Sequence, residues 1–236
     1  VLLYGPPGCS KTLMAKALAT ESSMNFVAVK GPELFSKWVG ESERAVQDIF
    51  AKARRAAPTI VFFDEIDGML RRRDESDASF VYSMKTELLS AIDGVNKLDD
   101  DVIIIASTNN EVSLDAAIYR RLPFAVEVKT PSQSEILDIL CKTVDSPTHT
   151  FKLSTAERFS LAQRMHNFTG CDVKSVLRET ENVRNQELLG LVHGEQSDFE
   201  LWSKCIEKLR SRMQVRSRAG ANVPGISEIF DAMRSR

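Results

Sequence analysis

The chain has few of the residues that staple a fold or cage a metal, with four cysteines and three histidines among 236 residues. Cys9, Cys141, Cys171 and Cys205 lie far apart, with no C-x-x-C pair and no grouping with histidine. That pattern argues against a zinc site and against a disulfide framework, and it points to a reducing compartment, cytoplasmic or nuclear. Long apolar runs are missing as well: none reaches the roughly 18 residues needed to span a bilayer, and the start has no signal-peptide pattern. Nor does one sign of charge dominate, since 31 Lys and Arg against 33 Asp and Glu leave a net charge of −2. Such a balance gives no global pull toward nucleic acid or acidic membrane. Hydrophobic residues at 43% and charged residues at 27% fit a folded globular chain long enough for two domains. Val1 to Tyr4 reads as an apolar strand with no turn before it, so upstream segments of a longer protein are expected.

The first ~130 residues alternate short β-branched runs with amphipathic stretches, the pattern of βαβ units on a parallel sheet. Strands are predicted at Val1–Tyr4, Asn25–Val29, Thr59–Phe63, Val102–Ser107 and Phe124–Val128, with helices at Lys11–Ser23, Ser42–Ala56 and Phe80–Ile92. Ile60 to Phe63 and Val102 to Ala106 are continuously apolar, as strands covered on both faces should be. After Pro131 only helix signals remain. Ser132 with Glu135 and Ser154 with Glu157 match S/T-x-x-E capping boxes, and further helices are predicted at Asp172–Leu189, Asp198–Arg212 and Ile226–Met233. Residues 212 to 225, rich in Arg, Ser, Ala and Gly, read as a loop or a weakly ordered link. The division is thus a large α/β domain over residues 1–131 and an all-helical domain with a tail over 132–236.

Gly5 to Thr12 follow the first strand and open a helix with Lys11 and Thr12, close to the pattern G-x-x-x-x-G-K-[ST] but with Ser10 in place of the second glycine. In that context the turn's backbone N–H groups and the helix N-terminus surround phosphates, Lys11 reaches the β- and γ-phosphates of ATP, and the Thr12 hydroxyl takes Mg²⁺. The binding stretch is Gly5, Pro6, Pro7, Gly8, Cys9, Ser10, Lys11, Thr12 and Leu13. A second strand ends in Asp64 and Glu65. Asp64 there holds the Mg²⁺ through its water, and Glu65 orients or deprotonates the attacking water; taken alone, two acids after a strand serve as a helix cap. Asn109 follows the next long strand, at the sheet edge where ligands bind in open α/β folds. It is placed to hydrogen-bond the γ-phosphate or the lytic water, the alternative being a turn residue.

These residues resemble an AAA ATPase module, most like the second module of tandem-AAA unfoldases of the valosin-containing protein type and their ribosome-maturation relatives. Val29 to Phe50 carries the most specific part of the likeness. The resemblance implies a P-loop NTPase fold, a three-layer parallel sheet followed by a helical lid. It makes Gly5–Thr12 Walker A, Ile60–Glu65 extended to Asp67 Walker B and Asn109 sensor 1. Phe168 to Asp172 resembles the lid motif Phe-Ser-Gly-Ala-Asp, which makes Gly170 and Cys171 nucleotide neighbours; Asp172 also suits an ordinary helix N-cap. Lys37, Trp38 and Val39 fall on pore loop 1, where an aromatic side chain grips an extended polypeptide in the channel of a hexamer. Arg71 to Asp77 fall where the second pore loop lies, or form a solvated charged surface.

Arg120 and Arg121 correspond to the arginine-finger region, whose side chain reaches a neighbouring subunit's γ-phosphate. The tandem relatives carry Arg-Pro-Gly-Arg-Phe-Asp there, whereas Tyr119 to Phe124 is closer to the membrane-protein extractases and the severing branch. The resemblance implies a Mg²⁺-dependent ATPase, working as a homohexamer or hexameric ring on a polypeptide or protein complex. Adaptors would act through regions outside these residues, and neither stable nucleic-acid binding nor a membrane span is expected. Two other readings stay open: an ATP-binding scaffold module with little hydrolysis, suggested by Ser10 and the altered arginine region, and a nucleic-acid motor on the same fold, for which Arg71 to Arg73 leave room. Ser10 is expected to cost about 1 kcal/mol if its backbone must be glycine-like.

Overall fold

The computed structural model describes residues 1–30, 42–70, 79–97, 101–146, 151–189 and 196–221. Its residues divide into two units, Val1–Thr130 and Pro131–Arg236.

The first unit is a five-stranded parallel sheet: β1 (Leu2–Tyr4), β2 (Asn25–Lys30), β3 (Thr59–Asp64), β4 (Val102–Thr108) and β5 (Ala125–Glu127) lie in the order β2-β3-β4-β1-β5. Its helices are α1 (Lys11–Glu21), α2 (Ser42–Arg55), α3 (Ser79–Lys97) and the single turn α4 (Ala116–Tyr119). Because side chains alternate along a strand, the sheet has two apolar faces. Leu2, Val61, Phe63, Ile104 and Ala106 pack with Val46, Phe50 and Ala53 of α2 and Leu88 and Ile92 of α3. On the other face Leu3, Ile60, Phe62 and Ile105 pack with Ala15 and Ala19 of α1. Helices on both faces therefore make the three layers, and the two continuous apolar runs are the central strands β3 and β4. Phe62 and Phe63 are fully buried on opposite faces, each burial contributing roughly 1.5–3 kcal/mol. Phe26 stacks on Phe62 at 5.8 Å and Phe50 tilts against Phe63 at 6.1 Å.

Register positions the chemistry. Lys30 pairs with Asp64, and Tyr4 with Thr108, so the C-terminal ends of β1, β3 and β4 meet at one edge of the sheet. At the flank, β5 is an exposed three-residue edge strand, shorter than the expected Phe124–Val128.

The second unit is helical: α5 (Gln133–Val144), α6 (Thr155–Arg164), α7 (Gly170–Leu188) and α8 (Asp198–Ala221). Trp202 is fully buried in its core, with Phe151 edge-on at 5.6 Å and with Leu161, Phe168 and Val176 nearby. Both expected capping boxes form, at Ser132 and Glu135 and at Ser154 and Glu157. A third closes α7, with Thr169 as the N-cap and Asp172 at the third helical position. This corrects the expectation that Asp172 is itself the cap: its carboxylate accepts from the Thr169 N–H at 2.8 Å. Another correction concerns α8, which runs through residues read as a loop as far as Ala221. Neither proline nor glycine interrupts it before Gly220, so no breaker stops the helix at Arg212. The predicted helix Ile226–Met233 lies outside the described residues.

Candidate active site

The phosphate-loop candidate is a turn of positive backbone angles. Gly5 has φ 141°, Gly8 φ 81° and Ser10 φ 67°, and the Ser10 carbonyl accepts the Met14 N–H at 2.9 Å to begin α1. Ser10 thus takes the left-handed conformation that glycine adopts without steric cost, and its side chain makes no capping bond in return. Gly5 answers a different need, since a Cβ there would sit 2.2 Å from the Val128 carbonyl oxygen. That close approach lets the Val128 N–H bond to the Tyr4 carbonyl at 2.7 Å, joining the loop's first residues to the chain beyond β5.

Pro6 and Pro7 are exposed on the turn, Cys9 is buried under it, and Leu13 is exposed on the first turn of α1. Lys11 is buried, and its ammonium donates to the Gly5 and Pro6 carbonyls, each at 2.8 Å. Burial lowers its pKa from the ordinary lysine value, while Cys9, Asp64 and Asp67 pull it the other way. The ammonium is thereby tied to carbonyls of its own loop.

Thr12 Oγ1 donates to Asp64 Oδ2 at 2.9 Å, tying the start of α1 to the end of β3. The other oxygen of Asp64 accepts from the Ser107 hydroxyl at 2.5 Å. Ser107 in turn accepts the Glu65 backbone N–H at 3.2 Å. Glu65 itself has φ 54° and ψ 50°, another left-handed non-glycine residue, and its side chain is exposed. One position further along β4, Thr108 donates to Asp67 at 2.8 Å and accepts the Asn110 N–H at 3.0 Å. Asn109, between these residues, is exposed at the same sheet edge.

The paired oxygens of Thr12 and Asp64 suit Mg²⁺, a hard cation usually held by one or two protein oxygens together with substrate phosphates. Among the described residues there is no group of three or more His, Cys, Asp and Glu that could hold a metal ion.

Arg121 donates to the Leu89 carbonyl at 3.2 Å, to the Ala117 carbonyl at 3.1 Å and to Asp93 at 2.7 Å, clamping the end of α4 onto α3. Arg120, beside it, is exposed. Gly170 and Cys171 begin α7 in the helical unit, Cys171 exposed. A cleft of about 300 Å³ between α7 and α8 includes Glu179, Cys205 and Lys208 in its lining. It holds none of the residues expected at the nucleotide site. Lys37, Trp38, Val39 and the Arg71–Asp77 stretch lie outside the described residues. Sequence reasoning missed Ser107, which looks there like one more residue at the end of an apolar strand. Its place one position beyond Ala106, beside the end of β3, comes from strand register, which the sequence does not signal.

A glycine-rich turn opening a helix, with acids at the end of a neighbouring strand, defines a P-loop nucleotide-binding domain. Residues 1–131 match the family described as "ATPase family associated with various cellular activities (AAA)", and the chain belongs to that family. It is 47% identical over 214 residues to ATPase family gene 2 protein of Saccharomyces cerevisiae, covering 88% of this chain and 26% of that protein. To Ribosome biogenesis ATPase RIX7 of the same yeast it is 40% identical over 185 residues, 76% of this chain and 22% of the other. To the Cell division cycle protein 48 homolog of Archaeoglobus fulgidus it is 39% identical over 192 residues, 80% and 26%. The chain spans about a quarter of the length of these relatives. The crystal structure of the FIGL-1 AAA domain in complex with ADP superposes with a TM-score of 0.75 at 23% identity, over 92% of this chain and 75% of that one, a likeness of fold. ATP hydrolysis is the activity that the family and its named ATPase relatives carry. No helix among the described residues is long and apolar enough to cross a membrane.

Proposed function

We propose that this chain is the ATP-hydrolysing module of a hexameric protein-remodelling motor, threading polypeptide through a central pore and acting in ribosome biogenesis inside the cell. The observation that carries the reading is the meeting of Thr12, Asp64, Ser107 and the Glu65 backbone at one sheet edge beside the Lys11 loop. Loop N–H groups from Gly5 to Leu13 and the Lys11 ammonium bind the phosphates. Thr12 and Asp64 hold Mg²⁺, which when bound neutralises phosphate charge and keeps the β- and γ-phosphates oriented. Glu65 orients the lytic water and accepts its proton, and Asn109 fixes the γ-phosphate side of that water.

Arg120 is the finger offered to the neighbouring subunit, since it is exposed. Arg121 is committed within its own chain through α3. Trp38, with Lys37 and Val39, grips substrate, a flat apolar face that suits many sequences. Regions beyond this chain select substrates and adaptors.

The test is Glu65→Gln in the full-length protein, measured for ATP binding and for phosphate release. Retained binding with hydrolysis lost is expected, and normal turnover contradicts the assignment. One observation favours a second reading, an ATP-binding scaffold with little hydrolysis: the left-handed Ser10 strains the loop at the phosphates. Stoichiometric ATP binding in an assembled ring without measurable turnover would support it.

A further inference from the structure

We infer that Ser107 is a positioning residue for hydrolysis, its hydroxyl fixing at once the Asp64 carboxylate and the backbone turn that aims Glu65. The inference rests on the roles proposed for Asp64 and Glu65. Ser107 is buried, at 1% exposure, near the end of β4. Its hydrogen bonds run in both directions: the hydroxyl donates to Asp64 Oδ1 at 2.5 Å and accepts from the Glu65 N–H at 3.2 Å. Few groups of this size can donate and accept simultaneously, and a hydroxyl does both from one atom.

The two jobs have different consequences. With Ser107 on Oδ1 and Thr12 on Oδ2, both oxygens of Asp64 are held, so the plane of the carboxylate is set from the neighbouring strand β4 and from α1. Glu65 sits in a left-handed conformation that a non-glycine residue leaves readily. A hydrogen bond to its N–H from a neighbouring strand opposes that escape. Strain at such a position persists only when surrounding contacts over-determine it, and Ser107 supplies one that reaches across the sheet. A water-orienting carboxylate on a relaxed turn would still be present but misplaced, and a displacement of about 1 Å costs on the order of 100-fold in rate.

The test uses the full-length protein as wild type, Ser107→Ala, Ser107→Thr and Glu65→Gln. Steady-state hydrolysis, melting temperature and affinity for a fluorescent ATP analogue with and without Mg²⁺ are measured for each. For Ser107→Ala we expect kcat to fall roughly 10- to 100-fold and KM for ATP to rise only severalfold, the loss in kcat marking the part of the interaction used in the transition state. Affinity without Mg²⁺ stays unchanged, the gain in affinity brought by Mg²⁺ shrinks severalfold, and Ser107→Thr, which keeps the hydroxyl, restores most of both. An unchanged kcat, an unchanged Mg²⁺ gain, or equal loss in Ala and Thr variants alongside a collapsed melting temperature overturns the inference. Normal turnover in Glu65→Gln instead overturns the reading on which it rests, and is distinguishable because it does not depend on Ser107.

Discussion

Thr12 and Asp64, 52 positions apart in the chain, meet through a 2.9 Å hydrogen bond from hydroxyl to carboxylate. The contact joins the first residues of α1 to the last residue of β3, although β4 lies between β3 and β1 in the sheet. A parallel sheet brings the ends of non-sequential strands to one edge, and a ligand bound there touches segments remote in sequence.

Ser10 adopts φ 67° where glycine would be unstrained. Ser10→Gly should raise the unfolding free energy by about 0.5–1 kcal/mol, the relief of left-handed strain less the added freedom of glycine in the unfolded chain. Urea unfolding of the two proteins measures it; a loss of stability would show that the serine side chain makes contacts worth more than the strain.

Gly5 has no such latitude, because the Val128 carbonyl occupies the place of a Cβ. Gly5→Ala should destabilise the α/β unit by at least about 2 kcal/mol through overpacking against backbone and strain at φ 141°. Thermal unfolding and nucleotide binding should fail together, and a wild-type melting temperature would refute the close approach.

The two adjacent arginines should separate cleanly. Arg121→Ala should cost roughly 1 kcal/mol of stability, since its bond to Asp93 is partly solvent-exposed and its carbonyl contacts are modest. Arg120→Ala should leave stability unchanged and abolish hydrolysis in the assembled protein. Calorimetry with a phosphate-release assay on both variants decides it, and the reverse assignment follows if Arg120→Ala retains full turnover.

Acid sensitivity of the helical unit follows from its capping boxes. Hydrogen bonds from the Ser132 backbone and hydroxyl hold the Glu135 carboxyl below the ordinary glutamate value, and bonds from the Ser154 hydroxyl and backbone do the same for Glu157. A pKa lower in the folded than in the unfolded state contributes stability above the unfolded value and loses it as pH falls. Denaturation between pH 7 and 3 should show stability declining below about pH 4.3, less steeply in Glu135→Gln/Glu157→Gln, where the caps no longer titrate. An equal decline in that double variant would assign the effect elsewhere.

Much of this architecture could be read from local pattern. Ile60 to Phe63 and Val102 to Ala106 announce inner strands because a continuous apolar run suits a sheet packed on both faces, although Ile103 stays exposed, and Ser154 with Glu157 announces a helix start because the reciprocal bonds are local. The cap at Thr169 escaped the same search because aspartate replaces glutamate at its third position. What stayed hidden was long-range: Arg121 reaching Leu89, and Ser107 joining Asp64 to Glu65, depend on register between strands and helices that no local window encodes. Ser10 could be flagged from sequence as an odd residue in a glycine position, but its left-handed angle required the backbone.

The most direct measurement is ATP hydrolysis per chain against protein concentration for the full-length wild type, Glu65→Gln and Arg120→Ala, with ATP binding measured alongside. A specific activity that rises with concentration in the wild type and is lost in both variants while binding persists is the predicted result, since a neighbouring subunit then completes the site. Activity per chain independent of concentration, or full turnover without Glu65, would contradict the account.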